Sequence, residues 1–218
     1  MRQQARLARA RAALHRALNP QPTPSAAARA SLTDPASRLM LGKHGGYVQG
    51  YNVQIASARN QVLLAIELHD NPSDITALIP AIRRAQHNCV AAGLTGDVRA
   101  WLADSGYAST ANFAALADLP LLVSITKEYD QIHALTSPGR IVPAGHHDMA
   151  VRLASTDGKQ LYARRGALVE PGFAQLFQRF GRRLQRRGTA TVDAEIKLLG
   201  TVHNLTKIFH HDARRKPS

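Results

Sequence analysis

Two spacings of apolar residues alternate along the first half of the chain, one typical of strands and one typical of helices. Residues 47–57 and 61–69 are β-rich runs, and the three residues between them suit a hairpin turn. From residue 75 to about residue 92 the apolar positions recur at helical spacing, which predicts an amphipathic helix. The pattern therefore begins with a β-hairpin followed by a helix.

The following segment continues this alternation. Short apolar runs at 98–104 and 120–126 predict two buried strands, and residues 109–117 between them predict a helix. The order hairpin, helix, strand, helix, strand predicts an α/β fold with at least one crossover connection.

Composition divides the chain into one domain with less regular flanks. Residues 1–37 combine a basic helical pattern over 1–18 with a proline-rich linker, and residues 38–209 form the predicted domain. Inside that domain, residues 127–160 lack periodicity and contain prolines and glycines, which predicts an irregular insertion. Residues 210–218 form a basic tail.

Two helices are predicted to close the domain. Residues 161–187 carry seven arginines against Glu170 alone, and Gly188 is expected to end this helix. Pro171 predicts either a kink or a helix start at that point. The last helix, over residues 192–209, has an apolar face formed by Leu198, Val202, Leu205 and Phe209.

The charge balance indicates the class of partner. The 218-residue chain holds 28 basic against 15 acidic residues, a net charge of +13, and 22 of the basic residues are arginines. The guanidinium group binds phosphate with two hydrogen bonds, which favours nucleic acid; an anionic membrane surface is the alternative. One cysteine excludes an internal disulfide framework, and no apolar run approaches the length of a membrane span. We therefore expect a cytoplasmic protein that binds a polyanion.

Two carboxylates are candidates for chemistry. Asp104 ends an alternating apolar strand beside a glycine turn, where ligands bind in open α/β sheets; the alternative is that it only caps the turn. Glu170 is the sole acid in the arginine-rich region, and the alternative there is a surface ion pair. Because the surrounding arginines would attract phosphates, a carboxylate among them would repel the same phosphates unless a divalent cation lies between.

Four groups of motifs follow one another along the chain. They are TDPASRLM (33–40) with GYVQGYNVQ (46–54), ADSGY (103–107), YARR (162–165) with VEPGF (169–173), and VHNLTK (202–207). In this order they resemble the central segment, the second-aspartate motif, the glutamate motif and the closing helix of bacterial insertion-sequence transposases with a DDE catalytic domain.

The resemblance implies an α/β fold, an RNase H-like mixed sheet flanked by helices. It also implies two aspartates and one glutamate that hold a pair of Mg²⁺ ions, for which Mn²⁺ substitutes, during DNA cleavage and strand transfer. By position, Asp104 would be the second aspartate and Glu170 the glutamate, each catalytic and a metal ligand. The residues expected to contact DNA are Tyr162, Arg164, Arg165, Arg179, Arg182, Arg183, Arg186 and Arg187.

The chain departs from the family pattern at two places. The lysine that the family carries seven residues after its glutamate is replaced by Phe177, and Arg179 is expected to reach the same phosphate. The first catalytic aspartate, which the family carries on a strand before the segment that matches residues 33–40, has no counterpart here. We therefore expect a truncated C-terminal part of a transposase, without the first strand of its sheet and catalytically incomplete.

The expected partners follow from the same resemblance. They are double-stranded DNA at transposon ends and either a separate N-terminal transposase half or a second copy of the chain, with no membrane partner. The expected location is the cytoplasm, in association with the nucleoid. The alternative hypothesis is a non-catalytic DNA-binding protein derived from a transposase.

Overall fold

The structure, a computed structural model, describes Gln4 and residues 30–42, 46–69, 71–125 and 145–215. Its strands within these residues are Arg38–Leu41 (β1), Tyr47–Gly50 (β2), Asn52–Ser57 (β3), Leu63–His69 (β4), Trp101–Ala103 (β5) and Leu121–Val123 (β6). Its helices are Leu78–Ala91 (α1), Thr110–Ala115 (α2), His146–Ala154 (α3), Thr156–Tyr162 (α4), Arg165–Phe180 (α5) and Thr189–Arg215 (α6). Short 3-10 helices occupy Arg59–Gln61, Ile75–Ala77 and Ser105–Tyr107.

The predicted hairpin is present as β3 and β4, which pair antiparallel from Asn52 opposite His69 onward. Its turn needs Asn60 and Gln61 at φ of 62° and 57°, and asparagine is among the non-glycine residues that most readily adopt this region. The run predicted over 47–57 is divided at Tyr51, because β2 pairs with β1 instead of β4. Strand β1 was not predicted.

The predicted crossover is confirmed. Strands β5 and β6 are parallel neighbours, and α2 lies between them in sequence. The Ser109 hydroxyl caps α2 by accepting a hydrogen bond from the Asn112 N–H, which satisfies a donor that the first helical turn leaves unpaired.

The described strands form three separate two-stranded sheets, β1–β2, β3–β4 and β5–β6. The fold is therefore mixed α/β with small sheets. The single RNase H-like sheet, and the gap expected at its first strand, stay predictions.

The main hydrophobic core surrounds the parallel pair. Val123 and Leu121 are almost completely buried there, and each such side chain contributes about 1.5–3 kcal/mol by leaving water. The other large members of this cluster are Leu78, Ile82, Phe113, Leu116, Leu122, Ile125, Met149 and Leu153.

Two predicted boundaries need correction. The insertion expected to be irregular over 127–160 is helical in its described part, residues 145–160, as α3 and the start of α4. The tail expected from residue 210 continues α6 as far as Arg215. The predicted helix over 1–18 and most of the linker lie outside the described residues, apart from Gln4.

None of the described helices is both long and apolar enough to cross a bilayer.

The arginine-rich helix ends earlier than predicted. Helix α5 stops at Phe180, and residues 181–188 have no regular structure before α6 begins. Gly181 has a φ of 76°, a conformation that glycine adopts without strain, and this terminates the helix seven residues before Gly188. Inside α5, Pro171 neither restarts nor interrupts the helix.

Helix α6 packs against the hairpin with a face other than the predicted one. Its buried residues are Val192, Ile196, Gly200 and His203, and a Cβ at Gly200 would lie 2.9 Å from Ile66 Cγ2. Glycine therefore lets the helix approach β4 closely. The face predicted to be the packed one is exposed: Leu198 at 62%, Val202 at 36%, Leu205 at 59% and Phe209 at 69%.

Candidate active site and nucleic-acid interface

Asp104 stands directly after β5, at the carboxyl end of the parallel pair. Its side chain is exposed, and its Oδ1 accepts a hydrogen bond from the Gly106 N–H at 3.0 Å. The capping interpretation of Asp104 is therefore confirmed. The carboxylate also faces solvent at the end of a strand, where α/β sheets bind ligands, and its role in binding stays a prediction.

A second carboxylate, that of Asp74, lies beside this turn. Its Oδ1 accepts hydrogen bonds from Asn52 Nδ2 at 3.0 Å and from Gln54 Nε2 at 2.8 Å. A Cβ placed at Gly106 would lie 3.1 Å from Asp104 Oδ1 and 3.5 Å from Asp74 Oδ2, so the two carboxylates flank this glycine.

From the sequence alone, Asp74 is predicted to be the N-cap of the following helix, because it ends the turn 71–74, and this network is not predicted. A signal was present, because Asn52 and Gln54 are polar residues at alternate positions of β3 and alternate positions of a strand face the same side. The distance along the chain, about 20 residues, hides the connection from any local pattern.

Tyr107 joins the same network by donating its hydroxyl hydrogen bond to Gln54 Oε1. Burial raises the pKa of the Tyr107 phenol, and the negative charges of Asp74 and Asp104 raise it further. The phenol consequently keeps its proton throughout the neutral range and acts only as a donor to Gln54.

Tyr162 and Arg165 lie next to the end of β5. The Tyr162 hydroxyl donates to the Ala103 carbonyl at 3.0 Å, and Arg165 Cζ is 5.9 Å from the Tyr162 ring centroid. The close approach of α4 to the end of α3 requires glycine at position 158, because a Cβ there would lie 1.9 Å from the Arg152 carbonyl oxygen. This approach positions Tyr162, at the end of α4. Arg164, predicted to contact DNA, is exposed on the same turn.

Glu170 is exposed on α5, in a part of the helix that packs against β3. Ser57 Oγ donates to the Leu168 carbonyl at 2.9 Å, and a Cβ at Gly172 would be 3.8 Å from Ile55 Cδ1. Ile55 and Gln54 are consecutive on β3 and so point to opposite faces. Helix α5 therefore lies on one face of β3, and the network that contains Asp104 and Asp74 lies on the opposite face.

The predicted approach of Asp104 and Glu170 to one another stays a prediction. Among the described residues, no three histidine, cysteine, aspartate or glutamate side chains form a group that could hold a metal ion. Within those residues β3 pairs only with β4, so the edge of β3 away from β4 is not covered by a described strand. Side chains from the two faces of β3 could approach one another around that edge.

The arginines that follow α5 form an exposed cationic segment between Gly181 and Gly188, and its members are Arg182, Arg183, Arg186 and Arg187. Glu195 of α6 holds the backbone of this segment, because its carboxylate accepts the N–H groups of Gln185 at 2.8 Å and Arg186 at 2.9 Å. The segment is thus fixed by its main chain while the side chains face solvent.

The far end of the segment is fixed by the first motif of the sequence. The Tyr51 hydroxyl donates to the Asp34 carboxylate at 2.7 Å, and the Gly188 N–H donates to Asp34 Oδ1 at 3.1 Å. Asp34 therefore has a structural place at the junction of α5 and α6.

Phe177, at the position of the family lysine, lies under an arginine. Arg182 Cζ is 4.9 Å from the Phe177 ring centroid, a cation–π distance. Arg179, expected to reach the same phosphate as that lysine, donates a hydrogen bond to the Thr206 hydroxyl of α6, and its contact with phosphate stays a prediction. A cation is thus present beside residue 177, but it comes from Arg182.

Comparison with protein families identifies the family of the chain. The family model for the transposase DDE domain matches residues 29–205, which is most of the chain, and the protein belongs to that family. The comparisons with curated proteins and with solved structures gave no significant match.

Proposed function

We propose that this chain acts in DNA transposition by binding double-stranded DNA and taking part in metal-dependent cleavage and strand transfer at transposon ends. The observation that carries the proposal is the exposed Asp104 carboxylate at the end of β5, with Tyr162 and Arg165 beside it. A carboxylate next to a phosphate-binding arginine suits a site where a cation lies between protein and phosphate.

The donors suit magnesium in their chemistry. Mg²⁺ is usually held by one or two carboxylates, several waters and the phosphates of its substrate. We propose that Asp104 and Glu170 are these carboxylates, within an RNase H-like arrangement of β3–β4 and β5–β6. When bound, a pair of such ions supplies charge stabilisation at the attacking and leaving oxygens of a phosphodiester.

The chain's own cationic residues would bind and orient the DNA. Arg164 and Arg165 follow Tyr162, whose hydroxyl bonds to the carbonyl of Ala103 next to Asp104, and the arginines between Gly181 and Gly188 would extend the phosphate contacts. Arg179 and Arg182 bracket the position of the family lysine. Arginine contacts to phosphate position the duplex without reading its sequence.

Two carboxylates are fewer than the three that this chemistry uses, so we propose weak cleavage by the chain alone. Acting alone, the chain would then bind transposon DNA more efficiently than it cleaves it.

The test measures Mn²⁺ binding by calorimetry and nicking of supercoiled plasmid. We expect measurable Mn²⁺ affinity that falls about tenfold or more in Asp104→Asn and Glu170→Gln, because each loses one anionic oxygen ligand, and any nicking should disappear. Asp118→Asn, an exposed acid elsewhere, is the control and should behave as wild type. Unchanged Mn²⁺ affinity in Asp104→Asn would remove this residue from the site.

A non-catalytic DNA-binding protein is the second candidate. It is favoured by the lack of a three-ligand group among the described residues. It predicts DNA binding that is independent of divalent cations and equal in wild type and Asp104→Asn.

A further inference from the structure

The backbone of the arginine segment is held by a carboxylate, in a region whose side chains would attract an anion. Glu195 accepts the N–H groups of Gln185 and Arg186, each through one of its two oxygens. Residues 181–188 belong to no helix or strand, so the regular hydrogen bonds of those elements do not fix this backbone. The bonds to Glu195 therefore restrain its local conformation.

The two residues that follow are held in a similar way. The Gly188 N–H donates to Asp34 Oδ1 at 3.1 Å, and the Thr191 hydroxyl donates to the Arg187 carbonyl at 2.5 Å. Each residue from 185 to 188 thus has one backbone group bonded to a side chain. Hydrogen bonds to a carboxylate are about twice as strong as those between neutral groups. The end of the segment is therefore ordered before any ligand binds.

The two carboxylates bind the main chain and leave the guanidinium groups available. Among the described residues, no aspartate or glutamate forms an ion pair with Arg182, Arg183, Arg186 or Arg187. All four arginines are exposed. The negative charge of Glu195 thus orders the segment without occupying its cations.

Two effects of Glu195 on DNA binding have opposite signs. Its charge would weaken the binding of a polyanion, although salt screens this repulsion over about 8 Å. Its bonds to the backbone order the arginines in advance, so that less conformational entropy is lost when DNA binds. The charge is single and partly exposed to water, whereas the bonds restrain several residues. We therefore expect ordering to be the larger effect.

We propose that Glu195 is a positioning residue for DNA binding, and that Asp34 supports it at the other end of the segment. The proposal rests on the DNA-binding function proposed above and specifies how the arginine segment takes part in it. Without Glu195 the same arginines would be present, but the DNA would have to order them.

The experiment measures the affinity for a random DNA duplex by fluorescence anisotropy in about 0.1 M salt. Glu195→Ala is expected to weaken binding about tenfold, although it makes the net charge of the chain more positive. Glu195→Gln makes the same change of charge but keeps one acceptor oxygen, so its affinity should lie between those of Glu195→Ala and wild type. Asp193→Ala is the matched control, because it removes an acid of the same helix that pairs with Lys197. It should bind DNA as tightly as wild type or more tightly.

Hydrogen exchange with mass spectrometry, in the absence of DNA, gives a readout that does not depend on the proposed function. The peptide that contains residues 185 and 186 should exchange about tenfold faster in Glu195→Ala than in wild type. Circular dichroism and thermal unfolding verify that the variants fold. If Glu195→Ala unfolds, Glu195→Gln takes its place, and wild-type affinity in that variant would contradict the proposal.

The outcomes separate the positioning role from the proposed function. Where wild type binds DNA, equal or tighter binding by Glu195→Ala would overturn the positioning role, and so would an equal loss in Asp193→Ala. Unchanged hydrogen exchange in Glu195→Ala would overturn it as well. A wild type that does not bind DNA would overturn the proposed function itself, and the positioning role with it.

Discussion

The Asn204 side chain closes the edge of β4 at Leu63. Its Oδ1 accepts the Leu63 N–H at 2.9 Å, and its Nδ2 donates to the Leu63 carbonyl at 2.8 Å. One side-chain amide thus pairs both backbone polar groups of Leu63, a buried residue. In this way a helix residue takes the position of a neighbouring strand.

We expect Asn204→Ala to lower the free energy of unfolding by about 2–4 kcal/mol, because two half-buried backbone groups lose their partners. Urea unfolding measures the change. Thr201→Ala is the control, since its hydroxyl bonds only to the Lys197 carbonyl of its own helix, and it should stay within about 0.5 kcal/mol of wild type. Equal midpoints for the two variants would contradict the role assigned to Asn204.

The position of Asp104 was predictable at the residue scale, but that of Asp74 was not. Alternation along 98–104 and the glycine turn after it are local, and they located Asp104 correctly at a strand end. The contacts of Asp74 depend on Asn52 and Gln54, which approach it only after the hairpin and α1 have packed together. Local pattern carries no information on that packing.

At the scale of elements, the irregular arginine segment is expected to set the salt dependence of DNA binding. Each phosphate contact adds about 0.9 to the slope of log affinity against log salt concentration. Arg186→Ala with Arg187→Ala should therefore flatten that slope by about 1–2.

The measurement is fluorescence anisotropy on a random duplex at several salt concentrations. Arg83→Ala with Arg152→Ala removes two exposed arginines from α1 and α3 and serves as the control. Equal slopes for the two double variants would place the arginine segment outside the interface.

Helix existence was predictable at this scale, and helix boundaries and faces were less so. The apolar period over 161–187 could not reveal that Gly181 takes a positive φ, because that period reflects the positions of side chains and not the backbone conformation of a glycine. The apolar stripe of α6 was correctly identified, yet the opposite face packs against the hairpin. That face carries His203 and Asn204, whose side chains form hydrogen bonds to the hairpin backbone.

At the scale of the whole molecule, the phenols of Tyr51 and Tyr107 make the free energy of unfolding depend on pH in the alkaline range. Burial and Asp34 raise the pKa of Tyr51, and burial with two nearby carboxylates raises that of Tyr107. Because both pKa values are higher in the folded state than the usual value near 10, their stabilising contribution is complete below about pH 10. It is lost as pH rises from there through the folded-state pKa values.

We expect the free energy of unfolding to fall as pH rises above about 10, and to fall less steeply in Tyr107→Phe. Urea unfolding at a series of pH values measures it, with ultraviolet titration of phenolate as the second readout. Tyr47→Phe, at an exposed phenol, should leave the pH dependence unchanged. A steeper loss in Tyr107→Phe than in wild type would contradict the assignment.

The α/β class followed from the order of elements, since each element is a local pattern. The grouping of strands into three pairs did not follow, because it depends on contacts between residues far apart in sequence. The family motifs extended the prediction to function, and the family match over residues 29–205 supports them.

The bonds between α6 and the hairpin also set an order of events during protein synthesis. Asn204 is made 141 residues after Leu63, and His203 and Lys207 reach Gln61 over similar separations. At about 5–20 residues per second the ribosome needs roughly 7–28 s to cover that interval. During this interval the backbone N–H and C=O of Leu63, at the edge of the hairpin, have not yet met Asn204. The backbone groups of Leu63 therefore stay without their Asn204 partner until the last helix has been translated.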